Sequence, residues 1–263
     1  MISIITINYN NSEGLKRTLK SVSIQDKSLF ELIVIDGGSN DESPRIINEY
    51  NHIIDYKRIG PDLGIYDAMN KGLKRCSQDF VMFLNSGDIF INKDCLSAIK
   101  NFNLSLDYAY FFNAIIKFKE INYSKKSPEN YQSTSYQINH KFIPNHQAIL
   151  FNKYFYINNS YNLDYKISSD VDYIFRLSKS NNLLYIDYDI VEFELGGVSS
   201  TYKSFKKTYM HMKEALKINF KYQKNYLYSL IRIPLKFFVK YLLQNLIGNR
   251  FYFLVYNIKR ILK

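Results

Sequence analysis

The chain has 263 residues, of which 46% are hydrophobic and 22% charged, a composition typical of a folded globular protein and not of a disordered one. This length allows one sizeable core with an appendage and does not require two domains. The two cysteines, Cys76 and Cys95, lack the spacing of metal ligands and favour a reducing cytoplasmic setting. The strand-like N-terminus has no basic region before it, so we expect no signal peptide.

The net charge of +11 is concentrated towards the C-terminus. All 24 acidic residues lie at or before Glu214, whereas ten Lys or Arg residues follow it. A block of one sign usually marks a surface that contacts anions, either nucleic acid or anionic lipid. We therefore expect a nearly neutral body that carries a basic tail.

Apolar, β-branched runs alternate with helical patterns through the first half of the chain. The expected strands are residues 2–7, 32–35, 53–56 and 80–84. Strands that alternate with helices predict an α/β fold, in which a mostly parallel sheet has helices on both faces. Ligands bind such sheets beyond the carboxyl ends of the strands. Asn8, Asp36 and Asp88 are expected at that edge.

The second half has a different pattern. Residues 108–117 and 121–123 are typical of a hairpin or an extension of the sheet, and residues 125–140 are polar and predict a loop near the site. A helix is predicted over residues 170–180 and a further strand over residues 183–191.

Three polar motifs follow the predicted strands. Asp36 precedes Gly37-Gly38-Ser39, and its carboxylate could accept from the N3–H of a uracil or from a ribose hydroxyl. The alternative is an Asp that caps the next turn, a common use of Asp-Gly sequences. Residues 60–72 lead from Asp62 into a helix with Asn70 and Lys71, whose alternative role is a solvated helix face.

Asn85-Ser86-Gly87-Asp88 is the third motif. A carboxylate at this edge suits Mg²⁺ or Mn²⁺, which take oxygen ligands from protein, water and phosphate. The alternative is an Asp in a plain strand-to-turn connection. Together the motifs suit a nucleoside diphosphate and its metal better than a packed core.

With the first strand, residues 4–10, these motifs resemble family 2 glycosyltransferases, and in particular bacterial enzymes of colanic acid, O-antigen or capsule synthesis. The likeness covers the first two-thirds of the chain. It implies a GT-A fold, a Rossmann-like mixed and mostly parallel sheet, and an inverting transfer from a nucleotide-sugar, a UDP-sugar first among them, to a lipid-linked oligosaccharide.

The resemblance also implies a set of donor-binding residues and a divalent metal, Mn²⁺ or Mg²⁺. Asp88 is the expected metal ligand, at the place of the family's Asp-x-Asp motif, where Asn85 and Gly87 replace the aspartates. His146 and Gly197 fall where the family contacts phosphate or acceptor. The expected donor-binding residues are Thr6, Asn8, Asp36, Asp62, Asn70, Lys71, Ser86, Gly87 and Asp88.

Asp170 is the expected catalytic base. An inverting transfer needs a base that takes the proton of the acceptor hydroxyl. Asp170 and Asp172 are two residues apart and cannot point the same way on a helix, and Asp172 is placed to pair with Arg176. The alternative for Asp170 is a helix cap, which Ser168 or Ser169 could also supply.

The tail predicts basic amphipathic helices. We expect a catalytic domain over residues 1–220 and a tail over 221–263, with one helix from Pro234 to Gly248 and a second over 251–262. Neither has the ~18 uncharged apolar residues of a membrane span. Such helices fit an anionic membrane surface, here the inner face of a bacterial plasma membrane. The alternative is packing on the body or in a homodimer.

Two other classes of protein fit less well. An NAD-dependent oxidoreductase would need a G-x-G-x-x-G turn where Asn8-Tyr9-Asn10-Asn11-Ser12 stands. A nucleic-acid-binding protein would explain the basic tail but not the acidic strand ends, so we expect no nucleic acid partner. A non-catalytic nucleotide-sugar-binding protein of the same fold stays open.

Overall fold

The computed structural model describes residues 1–118, 121–125, 143–180, 182–194, 202, 204–222 and 226–248, with backbone alone for 118, 121–125, 182 and 226–228. The strands are β1 (Ile2–Asn8), β2 (Phe30–Asp36), β3 (Tyr56–Ile59), β4 (Phe80–Phe83), β5 (Ile89–Phe90), β6 (Tyr108–Phe118), β7 (Ile121–Lys125), β8 (Ile149–Asn152) and β9 (Asn182–Glu194). The helices are α1 (Ser12–Ser23), α2 (Ser43–Glu49), α3 (Ile65–Leu73), α4 (Cys95–Asn101), α5 (Lys153–Tyr156), α6 (Ser169–Ser180), α7 (Phe205–Tyr222) and α8 (Tyr226–Ile247).

The sheet is mixed, with its parallel part at one side. The strand order is β3-β2-β1-β4-β8-β6-β9-β5, and β7 pairs with β6. Strands β3, β2, β1 and β4 are mutually parallel, whereas β8 runs antiparallel to both β4 and β6. In the β1–β2 register Asn8 lies opposite Asp36, so the two polar strand ends meet.

Helices cover both faces because the strands of the parallel part are apolar on both sides. On β1, Ile5 packs with Met69 and Leu73 of α3, and the neighbouring Ile4 packs on the other face with Leu15 and Leu19 of α1. Both isoleucines are fully buried. The predicted α/β fold with a mostly parallel, doubly covered sheet is therefore confirmed.

One predicted strand is displaced. Residues 53–56 were expected to be extended, but Asn51–Ile53 forms a 3-10 turn and β3 begins at Tyr56. The Asp55 carboxylate accepts from the Leu32 N–H at 2.7 Å, while the Asp55 N–H donates to the Leu32 carbonyl. The side chain thus takes a position in the ladder that backbone would otherwise fill, and the strand starts after it.

The predicted tail helix begins earlier than Pro234. Helix α8 starts at Tyr226 and continues through Pro234, so the prediction of a start at this proline is wrong. The turns before the proline pack inward: Ser229 is buried, and Ile233 contacts the cluster formed with Tyr202 and Phe237. This packing offsets the cost of an interior proline.

Helix α7 ends two residues beyond the expected domain boundary at 220/221 and pairs with α8. No helix among the described residues combines the length and the apolar character needed to cross a membrane. The helix predicted over residues 251–262 lies outside the described residues, as does the loop predicted over 125–140 except for Lys125, which is the last residue of β7.

Candidate active site

A cleft of about 1230 Å³ opens at the carboxyl edge of the parallel strands. Its volume exceeds that of a typical small-molecule pocket. Seven of the predicted site residues line it: Asn8, Asp62, Ser86, Gly87, Asp88, His146 and Asp170. Thr6, Asp36, Asn70 and Lys71 do not line it, and Gly197 lies outside the described residues.

Asp36 holds a loop and does not face the cleft. Its carboxylate accepts from the Asn8 side-chain amide at 2.7 Å, from the Gly38 and Ser39 N–H groups at 3.0 and 2.8 Å, and from the Ser39 hydroxyl at 2.7 Å. These four donors use its acceptor capacity. We therefore correct the expected direct contact with a base or ribose: Asp36 shapes the loop whose Gly37 and Gly38 line the cleft.

Asn70 and Lys71 of helix α3 also bind partners within the protein. The Asn70 amide exchanges two hydrogen bonds with the backbone of Tyr161, at 3.0 and 2.7 Å. Lys71 pairs with Asp67 one turn earlier at 2.6 Å. Thr6 is fully buried within β1. Neither helix residue lines the cleft, since the residues of α3 that do are Ile65, Tyr66, Ala68 and Met69, but the Lys71 ammonium also donates to the carbonyl of the cleft residue Pro61 at 3.3 Å. The donor contacts expected of Thr6, Asn70 and Lys71 stay predictions.

The Asn85–Asp88 turn is fixed by the start of α1. Gly87 has φ +108°, a conformation that favours glycine, and its N–H donates to the Thr18 hydroxyl at 2.9 Å. The Asn11 amide donates to the Ser86 carbonyl at 3.1 Å. This turn aims Asp88 into the cleft from a rigid support.

Asp88 is buried at the cleft wall. Burial raises the pKa of its carboxyl well above the usual range, an effect that hydrogen bonds from the Asn85 backbone and the Gln147 side chain only partly offset. A carboxylate in such a place is stabilised by a cation that comes close to it.

The surrounding oxygens fit a hard cation. Within the described residues, Asn8 Oδ1 and Asn85 Oδ1 are buried side-chain acceptors with no hydrogen-bond partner, and both residues line the cleft. Orphaned acceptors of this kind call for a bound group. No three His, Cys, Asp or Glu side chains of the described chain form a metal cluster. The residues around Asp88 therefore fit a metal ion whose other ligands are phosphate oxygens, as is usual for Mg²⁺.

Asp170 and Tyr66 also line the cleft. Asp170 stands in the first turn of α6, and the Tyr66 hydroxyl lies 3.1 Å from its Oδ1 and 2.6 Å from the Ile167 carbonyl. Desolvation raises the pKa of the Asp170 carboxyl, and the hydrogen bonds from the Val171 backbone and Tyr66 act in the opposite direction. A raised pKa brings a carboxylate closer to the basicity that proton abstraction requires.

Asp172 differs from Asp170 in its partners. It is 1% exposed, and its carboxylate takes Arg176 at 3.0 Å, Lys221 at 3.0 Å and the Tyr222 hydroxyl at 2.8 Å. These partners lower the pKa of the Asp172 carboxyl against the opposing effect of its burial. The expected pair with Arg176 is present, and Asp172 serves to join α6 to α7.

His146 is buried in an aromatic setting, against Phe83 and Phe151, at the back of the cleft. Burial lowers the pKa of its imidazole to about 3, so the ring is neutral near pH 7. Its Nε2 lies 2.6 Å from the Tyr161 hydroxyl. A neutral ring can exchange a hydrogen bond with a ligand but does not add positive charge for a phosphate.

Sequence reasoning missed several cleft residues. Tyr9 lines the cleft and is 66% exposed, an aromatic surface open to a ligand, and it was visible only as part of the first motif. Arg17 and Glu194 form an ion pair at the lining although they are 177 residues apart. No pattern in the sequence could have brought these two together.

Comparison with known proteins assigns the chain. The model of the family described as "Glycosyl transferase family 2" matches residues 3–174. An uncharacterized glycosyltransferase of Mycobacterium tuberculosis is 30% identical over 206 residues, covering 76% of this chain and 77% of that protein. A PGL/p-HBAD biosynthesis glycosyltransferase of Mycobacterium bovis is 27% identical over 208 residues, covering 76% and 80%.

Solved structures share the fold. S. aureus TarS (residues 1–349) in complex with UDP superposes with a TM-score of 0.60 at 15% identity, covering 95% of this chain and 72% of that one. The mannosyltransferase PcManGT of Pyrobaculum calidifontis, in complex with GDP-Man and Mn²⁺, gives 0.59 at 11% identity, covering 84% and 63%. The predicted GT-A fold is confirmed. With its family match over nearly two-thirds of its length, the chain belongs to glycosyl transferase family 2.

Proposed function

We propose that this glycosyltransferase moves a sugar from a nucleotide-sugar, a UDP-sugar first among the candidates, to a lipid-linked glycan of a bacterial surface polysaccharide, with inversion at C1. The observation that carries the proposal is that Asp88 and Asp170 line the same cleft. The UDP bound by TarS and the GDP-Man bound by PcManGT support the donor class.

The proposed roles divide the cleft in two. The nucleotide side comprises Asn8, Tyr9, Asp62, Ser86 and Gly87, at the ends of the parallel strands. The exposed Tyr9 ring offers a stacking surface to a nucleotide.

On the other side, Asp170 takes the proton of the acceptor hydroxyl while that oxygen forms a bond to C1 of the donor sugar. The C1–phosphate bond breaks in the same step, and the electron pair leaves with the nucleoside diphosphate. The Tyr66 hydroxyl keeps the Asp170 carboxyl oriented towards the cleft.

A divalent metal, Mn²⁺ or Mg²⁺, fits the leaving-group side of the cleft. Asp88, with the Asn85 amide oxygen, would hold it, and it would supply positive charge against the departing diphosphate. The Mn²⁺ present with GDP-Man in the PcManGT complex supports this choice.

The test of the function is nucleoside diphosphate release. Purified protein is incubated with UDP-, GDP- and dTDP-sugars and a polyprenyl-diphosphate-sugar acceptor, with Mn²⁺ or with a chelator. We expect release from one donor, dependent on acceptor and metal. Binding of a donor without any release across the panel would favour the alternative, a non-catalytic nucleotide-sugar-binding protein.

The acceptor is proposed to be membrane-bound because of the outer face of α8. Its inner face packs through Ser229, Phe237 and Gln244, whereas the apolar residues of the opposite face are exposed. Ile231 and Leu246 are the most open, at 75% and 77%. The exposed apolar residues are Leu230, Ile231, Leu235, Phe238, Val239, Leu242 and Leu246.

Basic residues accompany this face, and charge complementarity points to an anionic lipid surface at the inner side of a plasma membrane. No acidic residue follows Glu214, and Arg232 and Lys236 are exposed beside the apolar face. Lys240, in contrast, turns inward to the Tyr202 hydroxyl at 2.9 Å, and burial lowers its pKa to about 8. Each basic residue near an anionic leaflet contributes ~1 kcal/mol.

Vesicle co-sedimentation tests this surface. We expect the wild-type chain to sediment with anionic vesicles and less with neutral ones, and Leu235→Glu with Leu246→Glu to abolish it. The matched control, Ile24→Glu with Ile157→Glu, adds the same charge at exposed apolar residues of the body. Equal sedimentation of both double variants would contradict the membrane assignment. A shift from dimer to monomer in the α8 variant would instead identify a subunit interface.

A further inference from the structure

The segment that leads into α6 is held from α7 by a buried carboxylate. Glu214 is 8% exposed and accepts three backbone hydrogen bonds: its Oε1 from the Lys166 N–H at 2.7 Å, and its Oε2 from the Ile167 and Ser168 N–H groups at 3.0 and 2.9 Å. Charge-assisted bonds of this kind are among the stronger ones in proteins. They fix three consecutive residues that end two positions before Asp170.

The same segment is fixed from the other side by α3. The Tyr66 hydroxyl lies 2.6 Å from the Ile167 carbonyl and 3.1 Å from Asp170 Oδ1. The Ile167 peptide therefore lies between a carboxylate from α7 and a phenol from α3. Because Lys166, Ile167 and Asp170 all line the cleft, a shift of this segment moves the cleft wall.

We propose that Glu214 is a positioning residue for the reaction, which sets the place and the basicity of Asp170 by holding residues 166–168. The proposal rests on the proposed function in that Asp170 is taken as the base. It gives α7 a role in the chemistry, although α7 itself follows the part of the chain that the family model matches.

Electrostatics support the geometry. Burial has the largest effect on the pKa of the Asp170 carboxyl and raises it; the negative charge of Glu214 raises it further, whereas the hydrogen bond from Tyr66 lowers it. Lys166 adds a nearby positive charge at the cleft, and His146 is neutral because burial lowers its pKa to about 3. The titratable groups around Asp170 and its cleft wall are Tyr66, His146, Tyr161, Lys166 and Glu214.

Glu214→Gln and Tyr66→Phe should therefore move the pH profile in opposite directions. Glu214→Gln removes a like charge, so the acidic limb of kcat should move to lower pH while kcat at the optimum falls about tenfold or more. Tyr66→Phe removes a bond that favours the ionised form, so its acidic limb should move to higher pH. Neither change should alter the KM for the donor by more than about threefold.

Asp172→Asn is the matched control. It removes another buried carboxylate from the same α6–α7 contact, yet Asp172 binds Arg176, Lys221 and Tyr222 and not the segment 166–168. We expect a lower Tm from this variant with an unmoved acidic limb. A purely structural role for Glu214 would give the same result for Glu214→Gln.

The measurement is kcat per folded molecule against pH for the wild type and the three variants. The proposal is overturned if the acidic limb of Glu214→Gln coincides with that of the wild type and its kcat is within twofold of the wild-type value. If that variant does not fold, an unmoved limb in Tyr66→Phe overturns it. A wrong assignment of Asp170 as the base would be seen separately. Asp170→Asn would then retain its turnover, independently of the result for Glu214→Gln.

Discussion

The β2 end and the β4 end of the sheet each carry a buried aspartate, and the two have opposite surroundings. Asp36 accepts from the Asn8 amide and from three donors of its own loop, whereas burial raises the pKa of the Asp88 carboxyl, which lines a cleft together with Asn8 and Asn85, whose amide oxygens are orphaned. Burial alone therefore does not identify a ligand-binding carboxylate. The number of hydrogen bonds that each carboxylate already accepts distinguishes Asp36, which holds its loop, from Asp88, the candidate metal ligand.

The same contrast recurs in the first turn of α6. Asp172 has three partners from α6 and α7, and Asp170 has the Tyr66 hydroxyl and a place on the cleft wall. Two aspartates only two residues apart thus serve different purposes, because the helix turns their side chains to different neighbours.

Asp88→Asn should produce the largest effect on ligand binding. We expect metal-dependent affinity for the nucleoside diphosphate to fall about 10- to 100-fold, since the amide cannot hold a divalent cation as a carboxylate does. Stability should be retained, because a neutral group replaces a carboxyl whose burial disfavours its charge. Calorimetric titration with UDP and Mn²⁺, repeated in a chelator, measures this. Equal affinity with and without metal in the wild type would remove Asp88 from the metal site.

Asp36→Asn should act on the fold instead. The substituted amide would place an NH2 donor either at the Gly38 and Ser39 N–H groups or at the Asn8 amide, and losing such charge-assisted bonds costs about 1.5–3 kcal/mol. Urea denaturation should show a lower midpoint, with donor affinity of the folded fraction changed much less than in Asp88→Asn. A variant of normal stability that fails to bind donor would make Asp36 a direct ligand after all.

A pH-dependent effect on stability is expected from the buried histidines. Burial lowers the pKa of His146 to about 3 and that of His211 to about 4, so their unfolded forms bind protons first as the pH falls. Their contribution to stability is present above pH ~6.5 and is lost towards pH 4, by at most ~1.4 kcal/mol per pH unit and residue.

This loss can be assigned by comparing His146→Gln with His52→Gln, a change at an exposed histidine. The slope of unfolding free energy between pH 6.5 and 4 should flatten in His146→Gln alone. Parallel slopes in both variants would mean that the carboxylates, and not the buried imidazole, govern acid stability in this range.

The sequence was sufficient for the sheet and for the strand ends. Continuous apolar, β-branched runs identify β1, β2 and β4, and period-3.6 patterns identify α1 and α3, because the burial of these elements follows from local sequence. The sequence did not predict the start of β3, because the Asp55 carboxylate accepts the hydrogen bond from the Leu32 N–H that a backbone carbonyl of a strand would accept. Such a substitution of side chain for backbone has no signature in the pattern of apolar residues.

The predicted site residues line the cleft where the local motif fixes direction, as at Ser86, Gly87 and Asp88 on a tight turn. Asn70 does not line it, because its amide bonds to the Tyr161 backbone 91 residues away. Glu214 stands out in the sequence only as the last acidic residue, since its three partners lie 46 to 48 residues earlier. Contacts between distant segments decide which polar side chains remain available, and one sequence does not contain them.

The central claim is that Asp170 is the base of a glycosyl transfer and that its neighbour Asp172 is a structural link. It is tested most directly by kcat and donor KM of Asp170→Asn beside Asp172→Asn, with both corrected for the folded fraction. We predict that Asp170→Asn lowers kcat at least ~10²-fold with a nearly unchanged donor KM, while Asp172→Asn loses stability and keeps its turnover per folded molecule. Near-normal turnover by Asp170→Asn would contradict the account.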